Sequence, residues 1–447
     1  MTAASPTAEL AASAAQWAQP GALEPVRVRL TDCILDHLAC VLEGAFASHL
    51  TYPDWVLAGA GDKSDATTVA GRRVSVAGAA YVNGQAANAL DFDDTLLGHP
   101  GAAVIPAALA VAEGVDASVE RLMAGVAAGY DAHWRLASAG MPTPRRASQV
   151  RGFAVWETVA AGVAAAVTCG MGEEEIRRVI GLAVAHAPVP YVGKWYERPV
   201  PTIKNNLGWA SAAGVTAVEL ATRGASGVPD ALDGPTGLWR MAGSDRWRWD
   251  AVRGTKNGAL ERVAFKRFPA CWHLQQYLAV LETKVRAEVL GHGSEGAVIY
   301  AGPDEVRKFM DYDPAGSADI AFSLPTLTAL VIDGCEPGVE WATAARYGSH
   351  GMKQRARAVE FHLSATRWVA TGGGTGLSSR HGVRVANYLD PAKWGLDHSE
   401  VGAKFDRLVG RRLGPERAAA LRVCLERDPS GTRARTLAEF LQGSREA

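Results

Sequence analysis

Apolar residues recur at helical spacing along much of the chain. The apolar positions from Leu30 to Val41 lie three or four residues apart, which predicts an amphipathic helix over about 26–44. Alanine-rich stretches with the same period predict further helices at about 76–91, 102–113, 119–138, 155–169, 173–186 and 206–223. Short breaks rich in glycine, proline and aspartate separate these stretches. Residues 1–262 are therefore predicted to form a helical domain.

The pattern changes after Arg262. Alternating polar and apolar residues predict three short strands, at 298–300, 359–363 and 383–385. Helical periodicity persists around 272–284 and 323–333, and it returns with many charges from about Ser399 onward. The predicted fold class is mainly α: a large all-helical domain carries a smaller inserted α+β domain at 263–397, and residues 398–447 return to the helical domain.

The amino-acid composition argues against several classes of protein. The 447 residues include 46 Lys and Arg against 47 Asp and Glu, a formal net charge of -1. This balance argues against a general nucleic-acid binder, which needs a basic surface. A hydrophobic content of 48% excludes a largely disordered chain. The 48 glycines, with many alanines, predict helices that pack closely through small residues.

The six cysteines are scattered without a CxxC or a paired Cys/His spacing. This predicts reduced thiols in a cytoplasmic protein, with no zinc or iron–sulfur site. The first ten residues contain an acidic residue and no basic one, which is unlike a secretory signal. The longest apolar stretches, near 101–112 and 158–169, are shorter than the ~20 residues of a membrane span.

Residues 91–99 carry the densest set of reactive side chains. Three carboxylates, one hydroxyl and one histidine fall within these nine positions: Asp91, Asp93, Asp94, Thr95 and His99. The glycine-flanked turn at 98–101 can bring the histidine back to the acids. Pairing with a carboxylate fixes the tautomer of an imidazole and increases its basicity, so the spacing is compatible with proton transfer. Helix capping and a solvated turn are the alternative interpretation.

Two lysines lie in apolar or aromatic surroundings. Lys204 stands at the start of a predicted helix, and Lys266 lies between phenylalanines. Each could simply extend its ammonium to solvent. As a pair they could hold a substrate carboxylate and stabilise the second negative charge that forms when an adjacent proton is removed.

Four further residues are candidates for substrate binding. Arg151 could reach an anion or lie in a solvated loop, and Trp156 could line a cleft or belong to the core. Asp94, from the acidic segment, and His273, two residues before Gln275, complete this set.

Several motifs, taken in order, resemble one known family. They are LDHLAC at 35–40, AAYVNG at 79–84, LDFDDT at 90–95, HPG at 99–101, IPAALA at 105–110, Lys204, Phe265-Lys266, FSLP at 322–325 and Lys404-Phe405. With them the chain resembles the MmgE/PrpD family, which includes 2-methylcitrate dehydratase, cis-aconitate decarboxylase and iminodisuccinate epimerase.

The resemblance implies a helical domain with an inserted α+β lid, a homodimer, and chemistry without a metal or an organic cofactor. It also implies a site in the cleft between the domains. The positions that match the family site are Asp91, Thr95, His99, Lys204 and Lys266.

The chain departs from the family at three positions where many relatives carry histidine. Asn88, Ala154 and a residue near Gln275 occupy them here. Either proton handling is simpler in this protein, or its substrate differs from the citrate-like acids.

The resulting hypothesis is a cofactor-independent lyase that dehydrates a hydroxy acid, either 2-methylcitrate-like or a larger acid of specialised metabolism. Lys204 and Lys266 would hold the carboxylate, and His99, oriented by Asp91, would move the proton. Thr95 would bind substrate or fix Asp91. The alternatives are decarboxylation of a cis-aconitate-type acid, then epimerisation, and finally a non-catalytic family member with a binding role.

Overall fold

The computed structural model describes residues 5–58, 66–147, 149–151, 153–188, 191–192, 197–203, 205–254, 258–282, 298–301, 306–358, 360–363, 382–384 and 394–441. Its helices up to residue 280 are α1 Pro6–Gln16, α2 Arg27–Gly44, α3 Val76–Asn88, α4 Pro100–Gly114, α5 Val119–Ala139, α6 Pro144–Ala147, α7 Phe153–Cys169, α8 Glu173–His186, α9 Leu207–Thr222, α10 Leu238–Met241, α11 Gly258–Glu261 and α12 Gln275–Val280. The later helices are α13 Ser317–Ile320, α14 Leu324–Ile332, α15 Ala344–Tyr347, α16 His350–Ala358, α17 His398–Leu413, α18 Pro415–Glu426 and α19 Ala434–Leu441.

The helices predicted from the apolar period are confirmed as α2, α3, α4, α5, α7, α8 and α9. Local signals fix some of their ends: Ser75 caps α3 by accepting the Gly78 amide at 3.1 Å, and Ser118 caps α5. The predicted helix at 76–91 ends earlier, at Asn88, and Asp91 has a φ of 53°, in the left-handed region. The chain is mainly helical, as predicted.

The described strands are short. They are β1 Ala66–Thr67, β2 Arg73–Val74, β3 Val150–Arg151, β4 Tyr191–Val192, β5 Val298–Ala301, β6 Glu360–Leu363 and β7 Gly382–Arg384. β5 lies between β6 and β7 and runs parallel to both, with Val298 opposite Glu360 on one side and Gly382 on the other. The three strands predicted after residue 262 are therefore confirmed, and they form one sheet.

Glycines let the helices approach closely. A Cβ atom on Gly208 of α9 would lie 2.4 Å from the Tyr81 carbonyl oxygen of α3, and one on Gly214 would lie 2.5 Å from the Gly162 nitrogen of α7. Both distances are shorter than a Cβ contact allows. The small-residue packing predicted from the composition is thus present at the centre of the helical layer.

Buried apolar side chains form two clusters among the described residues. We call the larger the first cluster; it contains buried residues of α1 to α5 and α7 to α9, together with Phe265 and residues of α17 such as Leu408. The second cluster contains Phe268, Tyr277 and Leu330. Helix α17 packs against α2, so this late helix lies on the first cluster.

The chain passes from one cluster to the other at two places that concern the candidate lysines. Val200 belongs to the second cluster and Leu207 to the first, so the chain crosses between the clusters after Val200 and before Leu207. Phe265 belongs to the first cluster and Phe268 to the second, so Lys266 also lies at a crossing. Among the described residues, no helix is long and apolar enough to span a membrane.

Candidate active site

Two segments that are distant in sequence, 91–95 and 264–266, lie side by side in the site. Thr95 and Ala264 exchange a pair of backbone hydrogen bonds, at 2.9 Å and 3.0 Å, so 91–95 runs beside 264–266. This pairing brings Lys266 to the acidic segment that follows α3. Helix α4 then begins at Pro100, directly after His99.

Lys266 is fully buried and pairs with Asp91. Its Nζ atom donates to the Asp91 carboxylate and, at 3.0 Å, to the Asp91 carbonyl oxygen, and it lies 3.9 Å from Asp93 Oδ1. Burial by itself lowers the pKa of a lysine, but the adjacent Asp91 and Asp93 carboxylates raise the pKa of Lys266 above its ordinary value. Lys266 is therefore a permanent buried cation.

His99 is oriented by Asp93, and the sequence-based assignment of this role to Asp91 was wrong. Asp93 Oδ2 lies 3.0 Å from His99 Nδ1, whereas Asp91 is taken up by Lys266. Although burial opposes ionisation, His99 and Lys266 lower the pKa of Asp93. An ionised Asp93 accepts a hydrogen bond from Nδ1–H of His99, and in this tautomer the lone pair of the imidazole lies on Nε2. Among the described residues, no hydrogen-bond partner contacts this Nε2 atom.

Asn88 contacts both members of the Asp93–His99 pair, which we call the dyad. Its Nδ2 donates to Asp93 Oδ1 at 2.9 Å and lies 3.2 Å from His99 Nδ1, and its Oδ1 accepts from Asn205 Nδ2 at 3.0 Å. The neutral amide thus occupies one of the three positions for which the family resemblance implied a histidine. Asn205, which sequence analysis did not single out, follows Lys204 directly and connects that segment to the dyad.

Thr95 and Asp94 support the loop that carries His99. Thr95 Oγ1 donates to the Gly98 carbonyl oxygen at 2.9 Å, so in this structure it does not fix Asp91. Asp94 accepts from the Gly101 amide at 3.0 Å and from the Tyr130 hydroxyl at 2.5 Å. Burial, with a smaller effect from nearby Asp36, raises the pKa of Asp94 to about 7. This geometry favours a role at the start of α4 over contact with a substrate.

Lys404 of α17 ties the two site segments together. Its ammonium donates to the carbonyl oxygens of Phe92 at 2.8 Å and Lys266 at 3.1 Å, and it pairs with buried Asp36 at 2.8 Å. The sequence marked Lys404 only as part of a family motif. Its contacts make it a support for the backbone on both sides of the Lys266–Asp91 pair.

Two of the other sequence-predicted residues cannot be placed. Lys204 lies outside the described residues. The backbone of Arg151 pairs with Tyr191 in a short antiparallel ladder, but the Arg151 side chain is outside the described part of the structure.

Trp156 and His273 lie in the interior. The Trp156 ring stacks on Trp247 with centroids 6.3 Å apart, and the His273 ring contacts those of Trp272 and Phe309. These contacts favour packing, and substrate binding by either residue stays a prediction.

The other two positions that lack the family histidines also serve packing. The Gln275 side chain bonds four backbone groups between Arg267 and Ala270, and Ala154 is buried in α7.

Asp91, Asp93 and His99 offer ligand atoms within 4.8 Å of one another, a spacing that a metal ion could use. The Lys266 ammonium already contacts Asp91 and lies beside Asp93, so a divalent cation here would meet a fixed like charge. We therefore assign these carboxylates to Lys266 and His99.

Comparison with known proteins agrees with the motifs. Residues 8–250 match the MmgE/PrpD N-terminal domain. The chain is also 28% identical to cis-aconitate decarboxylase of Homo sapiens over 200 residues, which are 43% of this chain and 41% of that protein. The matched part thus spans about two fifths of this relative's length. Since the domain match covers more than half of its residues, the chain belongs to the MmgE/PrpD family.

Proposed function

We propose that the protein is a lyase that acts on a small carboxylic acid by removing a proton next to the carboxylate. The observation that carries this proposal is the buried Asp93–His99 dyad beside the permanent Lys266 cation. The dyad supplies a base on Nε2, and the cation stabilises the enediolate-like charge that forms when the proton leaves.

Dehydration of a hydroxy acid is the reaction we favour. His99 Nε2 takes the proton from the carbon beside the carboxylate, and the resulting imidazolium gives a proton to the departing hydroxyl group. The products are an unsaturated acid and water, so atoms and charge balance without a cofactor.

Substrate binding falls to the two lysines in this proposal. Lys266 is fully buried and donates two of its three N–H groups to Asp91, so it would act on the substrate through its positive charge. Lys204 would provide the second cation. It is the neighbour of Asn205, which bonds to Asn88 of the dyad.

Decarboxylation is the second candidate, because the human relative is a cis-aconitate decarboxylase. It uses the same cations, but the bond between the carboxyl carbon and its neighbour breaks. CO₂ leaves, and His99 in its protonated form delivers a proton to the carbanion. Epimerisation beside a carboxylate comes third.

Proton NMR of the purified protein in D₂O with a panel of acids separates these reactions. The panel includes citrate, 2-methylcitrate, cis-aconitate and longer 3-hydroxy acids. A new vinyl signal with every carboxylate retained identifies dehydration. Loss of a carboxylate with deuterium on the adjacent carbon identifies decarboxylation. No reaction across the panel, by protein whose folding is confirmed, would favour a binding role.

The variant His99→Ala tests the assignment of the base. We expect turnover to fall about 10²–10⁴-fold, the usual contribution of one positioned acid–base group. The control is His186→Ala, since the hydrogen bond of the His186 ring within the described part of the chain is to the Leu182 carbonyl oxygen of its own helix, α8. Wild-type turnover by folded His99→Ala would overturn the assignment.

We further propose that the region at 263–397 forms an α+β lid, and that the protein works in the cytoplasm as a homodimer. The separate second apolar cluster and the family membership support this organisation. Sedimentation analysis of the purified chain measures the number of subunits.

A further inference from the structure

The loop that carries His99 has an unfavourable backbone conformation. Leu97 has a φ of 53° and Gly98 a φ of 154°, values that L side chains rarely adopt. Such a loop keeps one shape only if its surroundings hold it. Three polar side chains do so, because each bonds one backbone group between Leu96 and His99.

The three holding groups come from different elements. Thr95 Oγ1 bonds the Gly98 carbonyl oxygen, and His133 Nε2 of α5 lies 2.7 Å from the Leu96 carbonyl oxygen. Glu157 of α7 accepts the His99 amide on Oε1 at 2.5 Å. The Glu157 bond is the one that acts on the backbone of the histidine itself.

Glu157 is an unusual residue for the interior of α7. Its side chain is fully buried, and its second oxygen, Oε2, has no hydrogen-bond partner among the described residues. Burial raises the pKa of Glu157 to about 8, so at neutral pH the group is mainly a neutral acid. A buried polar oxygen without a partner costs stability, which indicates that Glu157 serves more than packing.

Glu157 and His133 pack closely against Gly98 of this loop. A Cβ atom on Gly98 would lie 2.7 Å from Glu157 Oε1 and 3.1 Å from His133 Cε1. Any other residue at 98 would therefore displace the carboxyl group or the imidazole.

We propose that Glu157 is a positioning residue for His99: by accepting the His99 amide, it holds the 96–99 loop in the shape that directs Nε2 toward the substrate. The inference rests on the proposed function, in which His99 moves the proton. It adds a residue of α7 that reaches the reacting atoms only through another group.

Glu157→Ala and Glu157→Gln test this role. We expect kcat of the alanine variant to fall about 10–100-fold, since a base misplaced by an ångström can cost this much. KM should change less than about twofold, because the lysines that hold the substrate are untouched. The glutamine variant keeps an oxygen for the His99 amide, so it should recover most of the lost kcat.

The pH profile gives a readout that a packing role would not affect. The titratable groups around Glu157 are Asp93 and Asp94 on the loop side, His133 on α5, and His99 itself. Ionisation of Glu157 adds a buried negative charge beside Asp93 and Asp94, and this charge opposes the negative charge that develops on the substrate, so wild-type kcat should fall above about pH 8. Glu157→Gln should lack this limb, because an amide does not ionise. If the limb persists in the glutamine variant, the proposal is wrong.

A measurement on His99 separates this proposal from the proposed function. In protein labelled with ¹⁵N-histidine, the His99 ring signals are those lost in His99→Ala. We expect them to move in Glu157→Ala and to stay unchanged in Thr158→Val, the control on the next residue of α7. Unchanged His99 signals in folded Glu157→Ala would overturn the positioning role, even if no acid in the panel reacts.

Discussion

Asp91, Asp93 and Asp94 lie within four residues of one another, yet each meets a different partner. Asp91 binds Lys266, Asp93 binds His99, and Asp94 binds Tyr130 with the Gly101 amide. Because all three carboxyl groups are buried, each needs a hydrogen-bond or ion-pair partner of its own to offset the loss of water. An exchange of partners would leave one charge unpaired. Substitutions at the three positions should therefore have different consequences.

Asp93→Asn should impair the chemical step more than substrate binding. An amide in place of the carboxylate no longer stabilises the imidazolium that forms on His99, so we expect kcat to fall about 10²-fold or more with little change in KM. Steady-state kinetics on the acid found by NMR measures both values. The control is Asp406→Asn, an exposed acid of α17 that pairs with Arg422 at 3.2 Å. Equal kcat values for Asp93→Asn and wild type would contradict the dyad.

Asp94→Asn should change the pH dependence of stability. Asp94 ionises near 3.8 in the unfolded chain and at about 7 in the folded protein. The folded state therefore binds more protons between these pH values, and this contribution to stability is lost as the pH rises toward 7. Asparagine lacks this contribution. The wild-type minus variant free energy of unfolding should decline from pH 4 to 7, by at most ~1.4 kcal/mol per pH unit, and then level off.

Urea unfolding at half-unit pH steps measures this difference, and groups that titrate alike in both proteins cancel. A difference that stays constant from pH 4 to 8 would show that Asp94 is ionised throughout.

At the residue scale, the sequence singled out Asp91, His99 and Lys266, which lie close together in the structure, but it did not predict how they pair. The run from Asp91 to His99 was sufficient to place an acid–base cluster. The choice of Asp93 over Asp91 depends on the left-handed backbone at Asp91 and on Lys266, which arrives from 175 positions away. Glu157 and Tyr130 gave no local signal, because each lies in an ordinary helical pattern.

Helix α17 acts on the site from the far end of the sequence. Its Lys404 reaches the backbone of both site segments and neutralises Asp36 of α2. Burial raises the pKa of Asp36, while Lys404 opposes that effect. The helix thus links the late part of the chain to the positions of Phe92 and Lys266.

Lys404→Met should destabilise the protein strongly. The substitution leaves Asp36 buried without its cation, for which we expect a loss of ~3–5 kcal/mol in the free energy of unfolding. Adding Asp36→Asn should recover part of the loss, as a double-mutant cycle would measure. Lys353→Met removes the exposed pair with Asp313 and should cost less than ~1 kcal/mol. A similar loss in both lysine variants would refute the bridging role of Lys404.

At the element scale, helices were predicted correctly where apolar residues recur with one regular spacing along the segment. Helices with long apolar stripes were found with their ends within a few residues, because burial of one face decides them. Helix α1 was missed because it is short and alanine-rich, and β3 and β4 because two-residue strands have no period to detect. The site itself lies between elements, where tertiary contacts fix the backbone.

For the whole molecule, the change of pattern after residue 262 correctly predicted strands. Helices α13 to α16 lie between β5 and β6 along the chain, a crossover that lets β6 run parallel to β5. The sequence did not indicate that Val339 and Ala342 would join the first cluster while Trp341, which lies between them, joins the second. Which cluster a residue joins depends on tertiary contacts, and these are not visible in the local sequence pattern.

The crossing of the chain between the two clusters at Lys266 has a consequence for the loss of activity on unfolding and its return on refolding. Phe265 is anchored in one interior and Phe268 in the other, so the ammonium is fixed from both sides. If the two clusters separate slightly, we expect Lys266 to move away from Asp91 before either cluster is exposed to water. Activity should then be lost at a lower urea concentration than the helical structure, and it should return last on refolding.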